Sequence, residues 1–254
     1  MEEYKFLIED LHKSFGAKQV LKGLNLKVEK GSSVVIVGGS GVGKSVFLKT
    51  LIGLLKPDSG RVIVDSTDIF SLSEKELNEF RKKFGMCFQE GALFDSMTVW
   101  ENIAFPLKRH KILPEDEIEE RVKECLSIVK LKDVENKFPS ELSGGMRRRV
   151  GFARAIALKP EILLFDEPTT GLDPIMTSLI SETIKDLMRG DEVTAITITH
   201  DLQAASIIAD KIAMLFDGKI IFYGNKEEFW ESKDEAVEQF RTSNPKGPWT
   251  EEEI

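Results

Sequence analysis

The chain has 254 residues, 41% of them apolar and only 8% aromatic, enough for one large α/β domain with room for a subdomain. Its formal net charge of −8 argues against a general nucleic-acid binder, which needs a basic face, and "RKK" at 81–83 and "RRR" at 147–149 read as solvated helix faces or local anion contacts. The longest apolar runs are strand-length and too short to span a bilayer. "MEEYKFLIED" has neither the positive start nor the apolar stretch of a signal peptide, and no repeat of 20–50 residues is visible. Cys87 and Cys125 are too few and too far apart for a disulfide framework or a zinc site, and read as reduced thiols.

In chain order, "YKFLIEDLHKSF" and "QVLKGLNLKVEK" alternate and predict strands of a half-exposed antiparallel sheet. "SSVVIVGG" differs: a continuous β-branched run suits a strand buried on both faces of a parallel sheet. A glycine-rich turn follows, then "KSVFLKTLIGLL" at helical spacing, a turn at "KPDSG" and a strand at "RVIVDSTDIF". Ser73 and Glu76 predict a capping box opening a short helix, and "FGMCFQ" predicts another strand. From about Thr98 to Leu158 the pattern is helical, with Pro114 expected at N1 ahead of an acidic first turn. "EILLFD", "VTAITIT", "KIAMLF" and "KIIFYG" return to strand, and the end, "NPKGPWTEEEI", reads as a mobile polar segment. The expected fold is α/β: a P-loop core, an antiparallel flank from the N-terminus and a helical insertion near 98–158.

"GGSGVGKS" places Gly38, Gly43, Lys44 and Ser45 in G-x-x-x-x-G-K-[ST], after a strand and before a helix. Gly38, Gly39, Ser40, Gly41, Val42 and Gly43 curl the backbone so that its N–H groups face phosphates. Lys44 reaches the β- and γ-phosphates of ATP, Ser45 can ligate Mg2+, and Val46 follows in the first helical turn. The strand "EILLFDE" delivers Asp166 to the metal shell, with Glu167 beside it to orient or deprotonate water. A second turn, "LSGGMRRR", puts Ser143, Gly144 and Gly145 at a helix start. A helix cap explains Ser143, but two following glycines are poor helix residues unless an anion must approach the backbone closely.

"LSGGM" ahead of "ILLFDEPTTGLDP" resembles the signature of ABC-type ATPases, and the resemblance covers nearly the whole chain. It implies a head-to-tail homodimer in which the phosphate loop of one copy and the signature turn of the other sandwich each ATP; an isologous two-fold pairing completes both sites. It implies that Phe15 stacks on adenine, although Phe15 could equally be core. Gln89 matches the loop glutamine that touches Mg2+ and water and senses the membrane partner. Asp173 matches the interface loop, and His200 the histidine at the γ-phosphate, so Glu167, His200, Gln89 and Lys44 are the implied catalytic set. His12 and His110 have no such context.

Two departures narrow the resemblance. Met146 stands where glutamine is usual and Val46 where a hydroxyl residue is usual. With "FQEGALFDSMTVWENIAFPL" and "EQFRTSNPKGP", they make the chain similar to the ATPase subunits of Mla/Mce-type phospholipid transporters. That implies a peripheral subunit on the cytoplasmic face of the inner membrane. It would dock on permease subunits, reach an MCE lipid-binding protein through them, and admit a small regulatory protein. Residues 90–110 would form the docking groove, unless they simply pack the insertion on the core. Residues 1–241 would form the ATPase domain and 242–254 a tail that embraces the second copy or frays. The alternatives are a small-solute importer ATPase, for amino acids for instance, and a soluble ABC-type assembly ATPase.

Overall fold

Strand β3 (Ser33–Val37) is buried along its whole length because it is walled in on both faces. Val35 and Val37 point into one apolar core, while Val34 and Ile36 point into another. The two-residue period of a strand thus explains why a central parallel strand is apolar throughout. β7 (Ile162–Asp166) does the same, with Leu163 and Phe165 on one side and Ile162 and Leu164 on the other.

The computed structural model describes residues 4–89, 91–188 and 193–250. Among them, one sheet runs β10-β9-β3-β8-β7-β6 and a second runs β2-β1-β4-β5. In the first, β6 (Phe84–Cys87), β7, β8 (Thr194–Thr199), β3 and β9 (Lys211–Phe216) are parallel, and β10 (Lys219–Asn225) returns antiparallel to β9. The second sheet is antiparallel and made of β1 (Tyr4–Phe15), β2 (Lys18–Glu29), β4 (Ser59–Val64) and β5 (Thr67–Asp68). Helix α1 (Lys44–Leu51) lies in the core between the sheets, burying Phe47, Leu48 and Leu51 there.

The helical insertion consists of α3 (Val99–His110), α4 (Glu115–Ile128) and α5 (Gly144–Ile156), which share the other core with the parallel sheet. Phe152 of α5 meets Phe165 of β7 edge to face at 5.4 Å, joining the insertion to the strand that carries the acidic pair. The capping box at Ser73 opens α2 (Glu74–Phe80) as expected, and a second one at Thr98 and Glu101 opens α3. Pro114 is the N-cap of α4 rather than its first helical residue, with Glu115, Asp116 and Glu117 filling the first turn. After α6 (Pro174–Leu187) and α7 (Leu202–Ile208) come the short helices α8 (Lys226–Glu231) and α9 (Glu235–Thr242).

Two expectations are corrected. The terminal segment through Thr250 packs back on its own domain. Trp249 lies edge-on to Phe216 at 4.6 Å and beside Phe240 at 5.4 Å, while its indole N–H donates to the Ala236 carbonyl at 2.9 Å. Apolar burial of one indole outweighs a polar neighbourhood; residues 251–254 lie outside the described residues. The "RRR" run is also not a solvated face. Arg147 donates to the Leu142 carbonyl, Arg148 is buried, and Arg149 donates to the Lys130 carbonyl. Among the described residues, no helix is long and apolar enough to cross a membrane.

Candidate functional site

The parallel strands end together, and the loops leaving β3, β7 and β8 converge. The loop after β3 needs glycine at Gly43, whose φ is 105° and where a Cβ would lie 2.8 Å from Val20 of the flank. Lys44, the first residue of α1, is buried; its ammonium donates to the Gly38 and Gly39 carbonyls at 2.7 and 2.9 Å. The same nitrogen lies 3.2 Å from Glu167 Oε1. Ser45 Oγ faces Asp166 Oδ1 at 3.4 Å.

Glu167 follows β7 in left-handed backbone geometry, φ 48°, and its N–H donates to the Ile198 carbonyl of β8 at 2.9 Å. A β-region residue would carry the chain onward as strand; this turn instead stops it and aims the carboxylate across the sheet edge. Glu167 Oε2 accepts from Thr170 Oγ1 at 2.9 Å and meets His200 Nδ1 at 2.9 Å. His200 is anchored by its neighbour: Asp201 caps α7 through the Gln203 and Ala204 N–H groups and accepts from Thr169 Oγ1. The structure therefore brings Lys44, Ser45, Asp166, Glu167 and His200 into one cluster.

Burial first, and then the adjoining Glu167 charge, push the Asp166 carboxyl above its ordinary range, opposed by the Ser45 hydroxyl. Two neighbouring carboxylates beside a serine hydroxyl at a phosphate loop form a donor set of hard oxygens, which suits Mg2+ with phosphate oxygens completing its shell.

The remaining candidates lie around this cluster. Phe15, at the tip of the β1–β2 hairpin, is 51% exposed with the Lys13 ammonium 5.6 Å from its ring centroid. It is a surface ring rather than core. Val42 and Val46 are partly buried and pack against the core between the sheets, which suits an apolar residue at 46. Gln89 is exposed in the loop two residues past β6, and its carbonyl accepts from Arg148 Nε at 2.7 Å.

The signature turn is a separate site. Ser143 Oγ accepts from the Met146 N–H at 3.3 Å, and a Cβ on Gly144 would meet nothing closer than 3.9 Å. A Cβ on Gly145 would lie 2.4 Å from Met176 Cε, so this turn abuts the first turn of α6. Asp173 caps that helix through the Ile175 and Met176 N–H groups at 2.9 and 3.1 Å, leaving Ile175 81% exposed. Neither Ser143 nor the glycines meet Lys44, Glu167 or His200 among the described contacts. Met146 packs against the insertion core, which explains an apolar residue there.

Three residues at the site escaped the sequence reading: Thr170, Arg148 and Trp249. Trp249 reaches the phosphate loop itself, since a Cβ on Gly39 would lie 2.8 Å from its ring. The only available signal was an isolated tryptophan in a polar end and a threonine three residues after the acidic pair.

The family model for the ABC transporter matches residues 21–170. The chain is 44% identical over 241 residues to the "Probable ribonucleotide transport ATP-binding protein mkl" of Mycobacterium bovis, covering 95% of this chain and 67% of that one. It is 42% identical over 233 residues to the "Intermembrane phospholipid transport system ATP-binding protein MlaF" of Haemophilus influenzae, covering 92% and 88%. Among solved structures, the ATP-binding cassette MJ0796, dimeric and bound to ADP and Pi, superposes with a TM-score of 0.79 at 33% identity, covering 87% of this chain and 98% of that one. ATPases of this family pair as dimers and work with membrane permeases. The chain belongs to the ABC transporter family, as an ATP-binding subunit that hydrolyses ATP.

Proposed function

We propose that this ATPase powers phospholipid movement through a membrane permease, working as a head-to-tail homodimer. The observation that carries the chemistry is the Glu167 carboxylate at the sheet edge, 3.2 Å from the Lys44 ammonium through one oxygen and 2.9 Å from His200 Nδ1 through the other. Lys44 neutralises the β- and γ-phosphates, and Glu167 orients the attacking water and takes its proton. His200, held by Glu167, contacts the γ-phosphate. Ser45, Asp166 and Gln89 would hold Mg2+, which offsets charge on the phosphates. The backbone of residues 38–43 cradles those phosphates, and Phe15 stacks on the adenine.

Ser143, Gly144 and Gly145 serve the nucleotide of the second copy, and Asp173 lies at the seam. The exposed Ile175 and the open Gly144 support this, because both put complementary features on one face. ATP drives closure only through the difference in its affinity for the closed and open dimers. The tail of residues 242–254, packed on its own domain through Trp249, would meet the second copy from there.

The permease would meet the groove between β6 and α3. Phe88, Phe94 and Phe105 are 39, 41 and 38% exposed there, around a cavity of about 370 Å³. Asn102, fully buried, bonds Phe94, Met97 and Thr98 backbone groups and fixes the aromatic wall. An amphipathic permease helix is the occupant this apolar, preshaped cleft suits. The subunit would sit peripherally on the cytoplasmic face of the inner membrane, linked through the permease to an MCE lipid-binding protein and open to a small regulatory protein. Mg2+ would be bound with ATP.

The similarity to the phospholipid-transport relative, together with Met146 and Val46 in this chain, favours lipid as cargo; the mycobacterial relative is named for ribonucleotides. A tagged pull-down from detergent-solubilised native membranes, read by mass spectrometry, decides. A permease, an MCE-domain protein and bound phospholipid support the reading. A solute permease, or soluble partners alone, overturns the cargo and leaves the ATPase standing.

A further inference from the structure

Helix α5 begins with the signature turn, and its fifth residue is Arg148, only 8% exposed. Its guanidinium reaches two loops of the core at once. Nε donates to the Gln89 carbonyl at 2.7 Å and Nη2 to the Thr170 carbonyl at 2.5 Å. Gln89 leaves β6 and Thr170 follows β7, and these strands pair in parallel from Phe84↔Ile162 to Cys87↔Phe165. One planar, always-charged fork thus ties together the ends of two adjacent strands.

Each loop leads to something functional. The loop after β6 is clasped on α5: Arg154 Nη2 donates to the Gly91 carbonyl at 2.9 Å, and a Cβ on Gly151 would lie 2.8 Å from Gly91 Cα. It runs on to Phe94, one wall of the aromatic groove. At the other loop, Thr170 Oγ1 donates to Glu167 Oε2 at 2.9 Å. We propose that Arg148 is a positioning residue for hydrolysis: by holding the Gln89 and Thr170 carbonyls together, it sets the Thr170–Glu167 hydrogen bond. It thereby passes the placement of the loop after β6 to the carboxylate that activates water. The inference rests on Glu167 being that carboxylate.

The physical argument concerns a buried cation between backbone acceptors. A lysine donates from a single nitrogen and cannot reproduce the two separate, coplanar donors Nε and Nη2 that reach carbonyls on different loops, and an apolar side chain leaves both acceptors without this donor. Thr170 would then be free to turn its hydroxyl away from Glu167. Neither Arg148 nor Thr170 is among the residues assigned to the phosphates or to Mg2+, so their loss should act on turnover rather than on nucleotide binding.

The test is a double-mutant cycle on the full-length chain, reading steady-state kcat and KM for MgATP. Arg148→Met and Thr170→Val should each lower kcat about tenfold, with KM held within about twofold. The double variant should be no slower than the slower single, because both act through one hydrogen bond. Arg148→Lys should recover part of the loss. Losses that multiply, or wild-type kcat in either single variant, overturn the proposal. If Arg148→Met does not fold, Arg148→Lys with Thr170→Val runs the same cycle and decides by the same rule. Glu167→Gln separates the two levels. If it keeps wild-type turnover, the carboxylate assignment fails. If it abolishes turnover while the cycle is multiplicative, only the role of Arg148 fails.

Discussion

The phosphate loop and the signature turn are both glycine-containing helix starts, yet the chain treats them differently. Around Lys44, three strand ends and the flank supply neighbours, so the ammonium already touches two loop carbonyls and a carboxylate. Around the signature turn the described residues supply the Ser143 cap, Arg147 and Met176, and no carboxylate or second loop. Cα hydrogens rather than a side chain face outward at Gly144, and among the described residues the nearest atom to a Cβ built there is Arg147 Nη2 at 3.9 Å. In the proposed head-to-tail pairing, a loop finished by its own fold and a loop left for another surface would be the two halves of a shared site. That difference would let one chain carry both without binding two nucleotides itself.

The comparison breaks most sharply at Glu167. Glu167→Gln keeps the shape of the Thr170 and His200 contacts but removes the base, so turnover should fall by about 10²-fold or more while ATP still binds. Steady-state hydrolysis with filter-bound nucleotide checks both, and size-exclusion chromatography with ATP should show a trapped dimer. Next comes Ser143→Arg. The side chain projects from an open turn, so the domain should fold and one copy should still bind ATP, but hydrolysis should drop by about tenfold or more. Mixing it with Lys44→Ala protein should restore up to one working site per heterodimer. Normal activity of Ser143→Arg alone would refute the shared site.

The strands and most of the residues clustered at the site were legible because their sequence signals are local. A β-branched run, eight residues of phosphate loop and an acid pair at a strand end each announce themselves within a dozen positions. Arg148, Thr170 and Trp249 were not legible because their roles depend on contacts between distant segments. "RRR" looks solvated until α5 is laid against β6 and β7, which turns one arginine inward and caps carbonyls with the others. Likewise, "NPKGPWTEEEI" has the composition of a frayed end; only the position of Phe216 and Phe240 reveals that Trp249 has somewhere to go. Pro114 shows the smaller scale of the same limit, since N-cap and N1 differ by one residue and carry similar signals.

Trp249 sharpens the comparison from the side of the phosphate loop, which this segment of its own chain covers. Trp249→Ala should lower stability by about 2 kcal/mol, less than a fully buried tryptophan because its ring is only partly buried, as read by urea unfolding. With Trp100 and Trp230 replaced by phenylalanine, the fluorescence of Trp249 should change when ATP binds, because its ring lies against Gly39. In Ser143→Arg protein the same change should persist. An unchanged signal in the parent would show that the contact does not report on the loop.

The smallest effect concerns what keeps the finished half finished. Lys5 of β1 is buried and its ammonium bridges Asp65 at 2.8 Å and Glu161 at 2.6 Å, while Lys83 lies 3.4 Å from each. Glu161 begins the segment that becomes β7 and ends at Asp166 and Glu167, so this network pins the flank sheet to the strand carrying the acid pair. Burial opposes the charged forms of Lys5 and Asp65, but the ion-paired hydrogen bonds win. They hold Lys5 above its ordinary value and Asp65 below it, and Lys5 likewise holds Glu161 down. The depressed carboxyls contribute stability above about pH 4 that is lost as pH falls through their folded values; the raised lysine contributes below about pH 10 and loses it as pH climbs past its own. Lys5→Met should therefore cost about 1–2 kcal/mol at pH 7, discounted for the half-exposed Glu161, and flatten the acid limb of the stability profile. Urea midpoints from pH 3 to 8 measure it. If the acid limb of Lys5→Met matches wild type, the network does not couple the flank to β7, and the order around Lys44 must come from the sheet alone.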